Sequence, residues 1–484
     1  MILWLSLISL AEAGRNHVGG YFRVQARPDL QGGSSQLGYW NLYGRLLNEG
    51  SYATLDFRHE ILERNDLGEP WTAILMRVEG GSIGNADSAN GVLSALRLSQ
   101  VFVQAGNLGN NNITWQVGTL ENYFGDLGLY DFRPSTLFFE TVGVSARYQT
   151  DDIELLLAAG DSGYRMRQDA YNTVLTGGGS FRWRVIPQFE FGFGGQYRYE
   201  PGVEGNINAP YATPNIDYDD YLRGEVVQNY MLENPLNQYI QLPNPILRNA
   251  SSYKAIGYIG FGNFGPVIWN NFYASYELFH PDTYKTETFN GQTHKLFLSD
   301  LTDERYSLFL GNEIQLRIIP KVWDIAWGAV YGDQKDLDNQ ISPSDYDRTY
   351  ASTVLRSQWY LTERYHLLVE SSVAKEVSRN GNAYREHADS IFKNTGGSSD
   401  PRGFEYGDSN TRTTFQGKGG IVINPMGRGI YTRPSLRFLY GAQYSNQNNA
   451  FGNAFVESLN QFNQFGNVEQ HWHHILSLEM EAWF

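Results

Sequence analysis

Cysteine is absent from the 484-residue chain, which excludes a disulfide framework and thiolate chemistry. Long hydrophobic runs are also missing, because no internal stretch approaches the roughly 18 apolar residues that a membrane-spanning helix needs. Positive charge is in the minority: 37 Lys and Arg oppose 52 Asp and Glu, and the formal net charge is −15. A nucleic-acid partner is therefore not expected, since binding a phosphate backbone requires an excess of cations.

The N-terminus carries a short apolar run. Residues 1–10 are followed by Ala11, Glu12 and Ala13, a pattern typical of a secretory signal peptide that is cleaved after a small residue. We predict a signal peptide over residues 1–13 and one mature domain over residues 14–484. A short buried strand at residues 1–10 is the alternative interpretation.

Aromatic residues and glycine are abundant, with 14% aromatics, 32 Tyr and 51 Gly. The C-terminal stretch, residues 474–484, alternates strictly between two kinds of side chain. One face carries Leu476, Leu478, Met480, Ala482 and Phe484, and the other carries Ser477, Glu479, Glu481 and Trp483. Such alternation predicts a strand with one apolar and one polar face, as in a sheet of a soluble sandwich or in a membrane barrel whose apolar face meets lipid.

Similar segments recur along the whole chain, and no helical period is sustained. We predict about eighteen strands, at residues 18–27, 44–62, 71–79, 97–105, 112–118, 140–148, 153–160, 178–186, 189–199, 253–261, 267–278, 306–319, 322–332, 351–360, 365–375, 415–424, 431–443 and 474–484. Their connections alternate between short turns and long polar stretches. The expected fold is all-β: a transmembrane antiparallel β-barrel with short periplasmic turns and long extracellular loops in the bacterial outer membrane, wide enough for an aqueous channel.

One connection, residues 118–139, is far more aromatic than the others. A loop so rich in apolar residues is not expected to lie in water, so we predict that it folds into the barrel and forms a constriction. Asp126, Asp131 and Arg133 would then face the channel. The chain has no catalytic motif, so we predict neither an enzyme nor a cofactor. The stretch His471-Trp-His-His474 is interpreted as part of an interfacial girdle, with a metal site as the alternative.

Several motifs resemble the maltoporin family of sugar-specific porins. Residues 20–23 are similar to that family's opening strand, residues 44–49 to its second-strand motif and residues 118–132 to its inward-folded loop. Residues 433–437 and the C-terminal Met-Glu-Ala-Trp-Phe resemble its last two strands. The resemblance implies an 18-stranded barrel, a homotrimer and passive diffusion of maltose and maltodextrin oligosaccharides. A last strand that ends on an aromatic residue also resembles that of bacterial outer-membrane proteins in general. That resemblance implies that Phe484 is read by the barrel-assembly machinery before insertion into outer-membrane lipid.

The resemblance also implies site residues. Four aromatic positions match the family's sugar slide, on which rings stack against the apolar faces of sugars: Tyr21, Tyr52, Tyr431 and Trp483. Alternation within the predicted strands places all four on the lumen face. Five charged positions match its polar track or constriction, where ionised groups bond sugar hydroxyls: Arg23, Arg45, Asp126, Asp131 and Arg133.

This sequence departs from the family's pattern at several positions. Thr54 replaces a carboxylate, Ser99 and Phe124 replace arginines, and Arg133 replaces a tyrosine. Residues 80–96 contain no Trp, although the family places there the aromatic residue that opens the slide. Two alternatives to a sugar porin therefore stay open. One is a general or anion-preferring diffusion porin, and the other is a barrel that acts as a surface adhesin or receptor.

Overall fold

The structure is a computed structural model, and it describes residues 14–28, 30, 42, 44–64, 68–81, 96–163, 173–201, 208–210, 239–241, 249–280, 284–289, 292–297, 305–336, 348–378, 411–446 and 471–484. The predicted signal peptide, residues 1–13, lies outside the described residues.

Eighteen strands form one antiparallel sheet that closes on itself. They are β1 Arg15–Ala26, β2 Tyr52–Leu62, β3 Trp71–Gly81, β4 Leu96–Gly106, β5 Ile113–Asn122, β6 Leu137–Gln149, β7 Ile153–Asp161, β8 Leu175–Ile186, β9 Phe189–Glu200, β12 Ala250–Phe264, β13 Val267–His280, β16 Arg305–Ile319, β17 Trp323–Asp336, β18 Arg348–Tyr360, β19 Tyr365–Ser378, β20 Arg412–Ile423, β21 Ser435–Ser445 and β22 Trp472–Trp483. Two hairpins lie within long connections: β10 Asn208–Pro210 with β11 Tyr239–Gln241, and β14 Tyr284–Phe289 with β15 Gln292–Phe297. The barrel closes where β1 pairs with β22, with Tyr21 opposite Trp483.

The distribution of polarity is the reverse of that in a soluble protein. On β22, Leu478 and Met480 are 43% and 44% exposed, whereas Glu479 and Glu481 are 2% and 0% exposed. The alternation predicted for the last strand is thus present, with its apolar side chains outward and its polar side chains inward. A closed barrel with this polarity suits lipid outside and a polar lumen inside. The chain is an integral outer-membrane β-barrel.

The connections between barrel strands alternate in length, as predicted. Residues 265–266 and 361–364 are complete short turns, whereas residues 337–347 and 379–411 join strands at the opposite end. The long predicted loops 200–252 and 376–414 lie mostly outside the described residues. Among the residues that the structure describes, no helix has the length and apolarity to cross a membrane.

Three of the predicted boundaries were wrong. Residues 44–50, predicted as the beginning of a strand, instead form turns inside the barrel, and β2 begins at Tyr52. Tyr431 precedes β21, which begins at Ser435 rather than at residue 431. The inward loop is shorter than the predicted 118–139, because β5 continues to Asn122 and β6 begins at Leu137. The segment 44–50 has left-handed backbone at Gly44 and Leu47, which ends the extended conformation there.

Candidate functional site

The loop between β5 and β6, residues 123–136, crosses the lumen, and we call it the constriction loop. Its tip is a tight turn in which the Leu127 and Phe132 backbones pair and the Tyr130 N–H donates to the Leu127 carbonyl. The non-glycine residue Asp131 has φ +51°, a conformation that Asp adopts more readily than most residues. The predicted inward loop is therefore present, and its tip has a defined backbone.

The apolar side chains of the constriction loop pack against the far wall. Leu127, Leu129 and Tyr130 are buried in the main hydrophobic cluster. Glycines on two neighbouring strands leave room for them: a Cβ on Gly311 would lie 2.7 Å from Leu127, and one on Gly328 would lie 2.9 Å from Tyr130. The packing fills the β16–β17 side of the lumen at this level. The exposed Asp131 and Arg133 of the loop lie beside β1 and β5 instead, and we call this the open side of the constriction.

A buried carboxylate fixes the loop tip to that wall. Glu313 of β16 accepts the Leu129 N–H at 2.9 Å and also accepts the Tyr431 hydroxyl. The Tyr431 ring packs near Trp269, with centroids 6.0 Å apart, and against Gly128. Tyr431 therefore lies inside the barrel, although it precedes its strand. The contacts just given are with Glu313, Trp269 and Gly128, and not with the other three aromatic positions. Its position in the predicted slide came from the resemblance, and its predicted lumen face came from alternation in a strand that does not extend to it.

A second inward segment, residues 44–50, meets the constriction loop inside the lumen. The Arg45 N–H donates to the Leu129 carbonyl at 2.8 Å. Lys418 of β20 donates to the Gly44 carbonyl at 3.3 Å and to Glu370 at 3.1 Å. The passage is therefore narrowed by two segments, of which the sequence predicted only one.

Arginines and carboxylates form a buried cluster where this segment meets the β21–β22–β1 wall. The carboxylate of Glu481 is in ion pairs with Arg45, with Arg433 at 2.6 Å and with Arg437 at 2.7 Å. Burial lowers the pKa of Arg45, but Glu481 and Asp131 outweigh it and raise that pKa well above its ordinary value. Glu481 thus anchors the segment 44–50 to the wall through a permanently charged guanidinium.

Two predicted arginines lie on either side of one loop carboxylate. Arg23 of β1 is in an ion pair with Glu49 and lies 3.8 Å from one oxygen of Asp131. Arg45 lies 3.9 Å from the other oxygen of Asp131. The structure therefore brings Arg23, Arg45 and Asp131 together at the constriction. Their role in a polar track for sugars, which the resemblance implied, stays a prediction.

Three of the four predicted aromatic residues form a ladder along the same wall. The Tyr21 ring centroid lies 6.4 Å from that of Trp483 and 6.0 Å from that of Tyr52. The Tyr21 hydroxyl donates to Glu481 at 3.0 Å, and the Tyr52 hydroxyl donates to Glu79 at 3.1 Å. The two tyrosine rings are therefore held by their hydroxyls, Tyr21 beside the charged cluster and Tyr52 beside Glu79. Stacking of a sugar on the three rings stays a prediction.

Arg133 lies at the open side of the constriction. Its guanidinium carbon is 4.3 Å from the centroid of the Tyr123 ring, and Nη1 is 3.4 Å from Glu121. Its side chain is 44% exposed. Arg133 is thus a stacked cation that faces the passage.

Asp126 faces the lumen with its carboxylate, while its carbonyl accepts the Tyr273 hydroxyl at 3.4 Å. The residue is solvent-exposed, but it is enclosed by the surrounding barrel. This enclosure, followed by the charge of Asp131, raises the pKa of the Asp126 carboxyl above its ordinary value.

Three of the residues that depart from the resembled pattern, Phe124, Ser99 and Thr54, have neighbours within the protein. Phe124 is buried, stacks on Tyr258 with centroids 5.7 Å apart, and lies over Gly192. Ser99 donates to the Arg77 carbonyl at 3.5 Å. Thr54 is opposite Tyr21 in the β1–β2 register. Phe124 therefore anchors the constriction loop and does not face the passage.

The histidine stretch at the start of β22 has ordinary hydrogen-bond partners. His471 contacts the Ser445 carbonyl at 2.9 Å, and His474 contacts the Tyr440 hydroxyl at 2.7 Å. In the part of the chain that the structure describes, no three His, Asp or Glu side chains are grouped to hold a metal ion. The predicted lack of metal, cofactor and enzymatic activity stays a prediction.

Sequence reasoning missed two features of the site. Glu313 falls within the predicted strand 306–319, but nothing in the sequence pairs it with residues 129 and 431, which are far away along the chain. The inward course of residues 44–50 had one signal, the succession of apolar Leu46 and Leu47, which breaks strict alternation.

No protein-family model and no curated protein matches the sequence. The fold is similar to the outer membrane channel DcaP of Acinetobacter baumannii, with 11% identity, TM-score 0.41, and coverage of 76% of this chain and 93% of that one. It is also similar to Pseudomonas aeruginosa OprD, with 9% identity, TM-score 0.41, and coverage of 97% and 95%. A third similar structure is an anion-selective porin from Comamonas acidovorans, with 10% identity, TM-score 0.40, and coverage of 97% and 100%.

The expected membership of the maltoporin family was wrong. No family model matches, and none of the three similar structures named above is a maltoporin. One motif that carried the resemblance and one site position that it implied also differ from the predicted strands, because residues 44–49 are not a strand and Tyr431 lies outside β21. The closed, polar-lined barrel nevertheless has a porin-like fold.

Proposed function

We propose that the chain is a general diffusion porin for small hydrophilic solutes, with a constriction that carries charges of both signs. The observation that carries the proposal is the arrangement at the open side of the constriction loop. There Asp131 and Arg133 are 34% and 44% exposed and face a wall with its own ion pairs.

The wall opposite the loop has the same mixed character. Asp56 of β2 and Arg77 of β3 are joined by two hydrogen bonds of 2.6 Å and 2.8 Å, and both are partly exposed. Charged groups of both signs along a narrow passage interact strongly with polar solutes, because the effective dielectric constant there is below that of bulk water. Mixed charge favours broad passage of polar solutes over strong selection for one ionic sign.

The test is the purified protein in planar bilayers. We expect stepwise ohmic conductance and a small reversal potential across a potassium chloride gradient. Liposome swelling should proceed for small neutral polar solutes such as arabinose, and should slow steeply with solute size. Absence of any conductance from correctly folded protein would contradict the proposal.

Sugar passage along the aromatic ladder is a second candidate function, favoured by the spacing of Trp483, Tyr21 and Tyr52. Stacking of these rings on oligosaccharides would give a saturable block of the ion current. Maltotriose added to the same bilayers distinguishes the two candidates, because a general diffusion porin shows no saturable block.

The remaining expectations about partners stay predictions. They are a homotrimer and delivery by the barrel-assembly machinery through Phe484. An adhesin or receptor role would depend on the long connections, which lie mostly outside the described residues.

A further inference from the structure

The charged cluster beside the passage contains one carboxylate that differs from the others. Among the described residues joined here by ion pairs, four guanidinium groups, those of Arg23, Arg45, Arg433 and Arg437, meet three carboxylates held within the wall cluster, those of Glu49, Glu479 and Glu481. Asp131 is the fourth carboxylate, and it comes from the constriction loop. The wall cluster alone therefore has an excess of one positive charge, which the loop balances.

Asp131 is held less closely than the wall carboxylates. The Glu481 side chain is 1% exposed and bonds directly to Arg45 and Arg437. The Asp131 side chain is 34% exposed, and its two oxygens lie 3.8 Å and 3.9 Å from the nearest guanidinium nitrogens. These distances exceed those of a direct hydrogen bond, so Asp131 neutralises the two arginines without saturating their donors.

We propose that Arg23 and Arg45 form a binding site for the carboxylate group of a passing solute, and that Asp131 is an internal occupant which the solute replaces. The proposal rests on the proposed channel function and names a class of solute that the constriction retains. Two planar guanidinium groups that face the two oxygens of one carboxylate suit this anion better than a spherical one such as chloride.

The internal occupant sets the strength of binding. A solute carboxylate binds only while Asp131 is displaced, so its apparent affinity falls by the fraction of time for which the arginine pair is open. Weak binding is what a channel requires, because a solute that binds tightly does not leave. Removing the Asp131 charge should therefore expose a stronger site.

The test is a butyrate titration of single channels in planar bilayers at constant sodium concentration, with neutral butyramide as the reference solute. We expect saturable reduction of the current by butyrate and none by butyramide. In Asp131→Asn the half-blocking concentration should fall about tenfold, the factor expected if the pair is open for about a tenth of the time. Asparagine also accepts the left-handed backbone at this position.

A matched control is Glu154→Gln, which also removes the carboxylate partner of an arginine on the polar face of the barrel. The Glu154 side chain is 21% exposed and pairs with Arg147 at 2.8 Å. If the arginine pair is the site, Glu154→Gln leaves the butyrate block within about twofold of the unmodified channel, since Asp131 still occupies the Arg23–Arg45 pair and Arg147 still donates to Asn122.

Two outcomes would overturn the carboxylate site. One is an equal gain of block in both variants, which would show a general effect of charge. The other is an unchanged half-blocking concentration in Asp131→Asn. Both outcomes require a channel that conducts ions. They are therefore distinct from a failure of the channel function, in which no variant conducts.

Discussion

At the scale of single residues, the charged groups of the constriction loop have separate roles set by their surroundings. Asp131 lies between two arginines of the wall, Arg133 stacks on Tyr123, and Asp126 is enclosed by the barrel without a described ion pair. The sequence predicted that all three face the channel, and the structure places all three there. It could not predict their partners, because Arg23 and Arg45 approach through β1 and through a segment expected to be a strand.

The exposed charge of Arg133 should influence ion preference directly. We expect Arg133→Gln to shift the reversal potential towards the potassium equilibrium potential in a potassium chloride gradient, since one positive charge leaves the passage. Arg133→Lys is the control, because it keeps the charge but loses the planar stacking on Tyr123. Equal shifts in both variants would show that the stacked ring, rather than the charge, sets the preference.

The raised pKa of Asp126 gives the channel a pH dependence. Burial within the barrel and the charge of Asp131 favour the protonated carboxyl, so Asp126 becomes neutral at a higher pH than an ordinary aspartate. As the pH falls through this raised pKa, the passage loses one negative charge and its preference for cations decreases. Reversal potentials measured between pH 7 and pH 4 should show this step, and Asp126→Asn should lack it. A step that persists unchanged in Asp126→Asn would have to come from another carboxylate.

At the scale of elements, two inward segments of different chemistry narrow the barrel. The constriction loop, residues 123–136, could be predicted from its aromatic content, because apolar side chains must pack against a wall of the barrel. The segment 44–50 is held mainly by backbone hydrogen bonds and buried ions, such as the Arg45 N–H to Leu129 and Arg45 to Glu481. Contacts of this kind depend on residues far apart along the chain, so local alternation could not reveal them.

The position of the segment 44–50 depends on Gly44. Its φ is +85°, and a Cβ there would lie 2.7 Å from Glu370 Oε1 and 3.2 Å from Val354. Glu370 cannot move freely, because it pairs with Arg356 and Lys418. Gly44→Ala should therefore displace the segment, at a backbone cost of about 1–2 kcal/mol, and raise single-channel conductance.

The control for this change is Gly417→Ala on β20. A Cβ at Gly417 would meet no heavy atom within 4 Å, so conductance should stay at the level of the unmodified channel. A normal conductance in Gly44→Ala would mean that the segment 44–50 does not limit the passage.

At the scale of the whole molecule, the barrel was largely predictable from period-2 alternation and from the lengths of connections. Alternation identifies a strand and its two faces, and closure follows once the first and last strands can pair without leaving an edge. The solute could not be predicted with the same success. It depends on which side chains meet across the lumen, and there the Tyr431 position and the segment 44–50 differ from the resembled pattern.

The last residue takes part in the closure itself. The Phe484 N–H donates to the Gly20 carbonyl at 3.1 Å, and the Gly20 N–H donates to the Phe484 carbonyl at 3.0 Å. The ring lies over Gly20, where a Cβ would be 2.9 Å from it, and it is 63% exposed on the apolar outer face. The backbone bonds do not depend on the side chain, so they should survive a substitution at this position.

We therefore expect Phe484→Asp to impair assembly rather than the folded barrel. A carboxylate on the outer face near the interface costs about 1 kcal/mol or less, which is too little to unfold a barrel held by eighteen strands. The amount of protein in the outer-membrane fraction should fall sharply, while the fraction that does insert should show normal heat-modifiable migration and conductance. Phe484→Tyr keeps an aromatic ring and should assemble normally. An unchanged amount of Phe484→Asp in the outer membrane would refute an assembly role for this residue, and inserted protein with abnormal conductance would indicate that the ring instead stabilises the closure between β1 and β22.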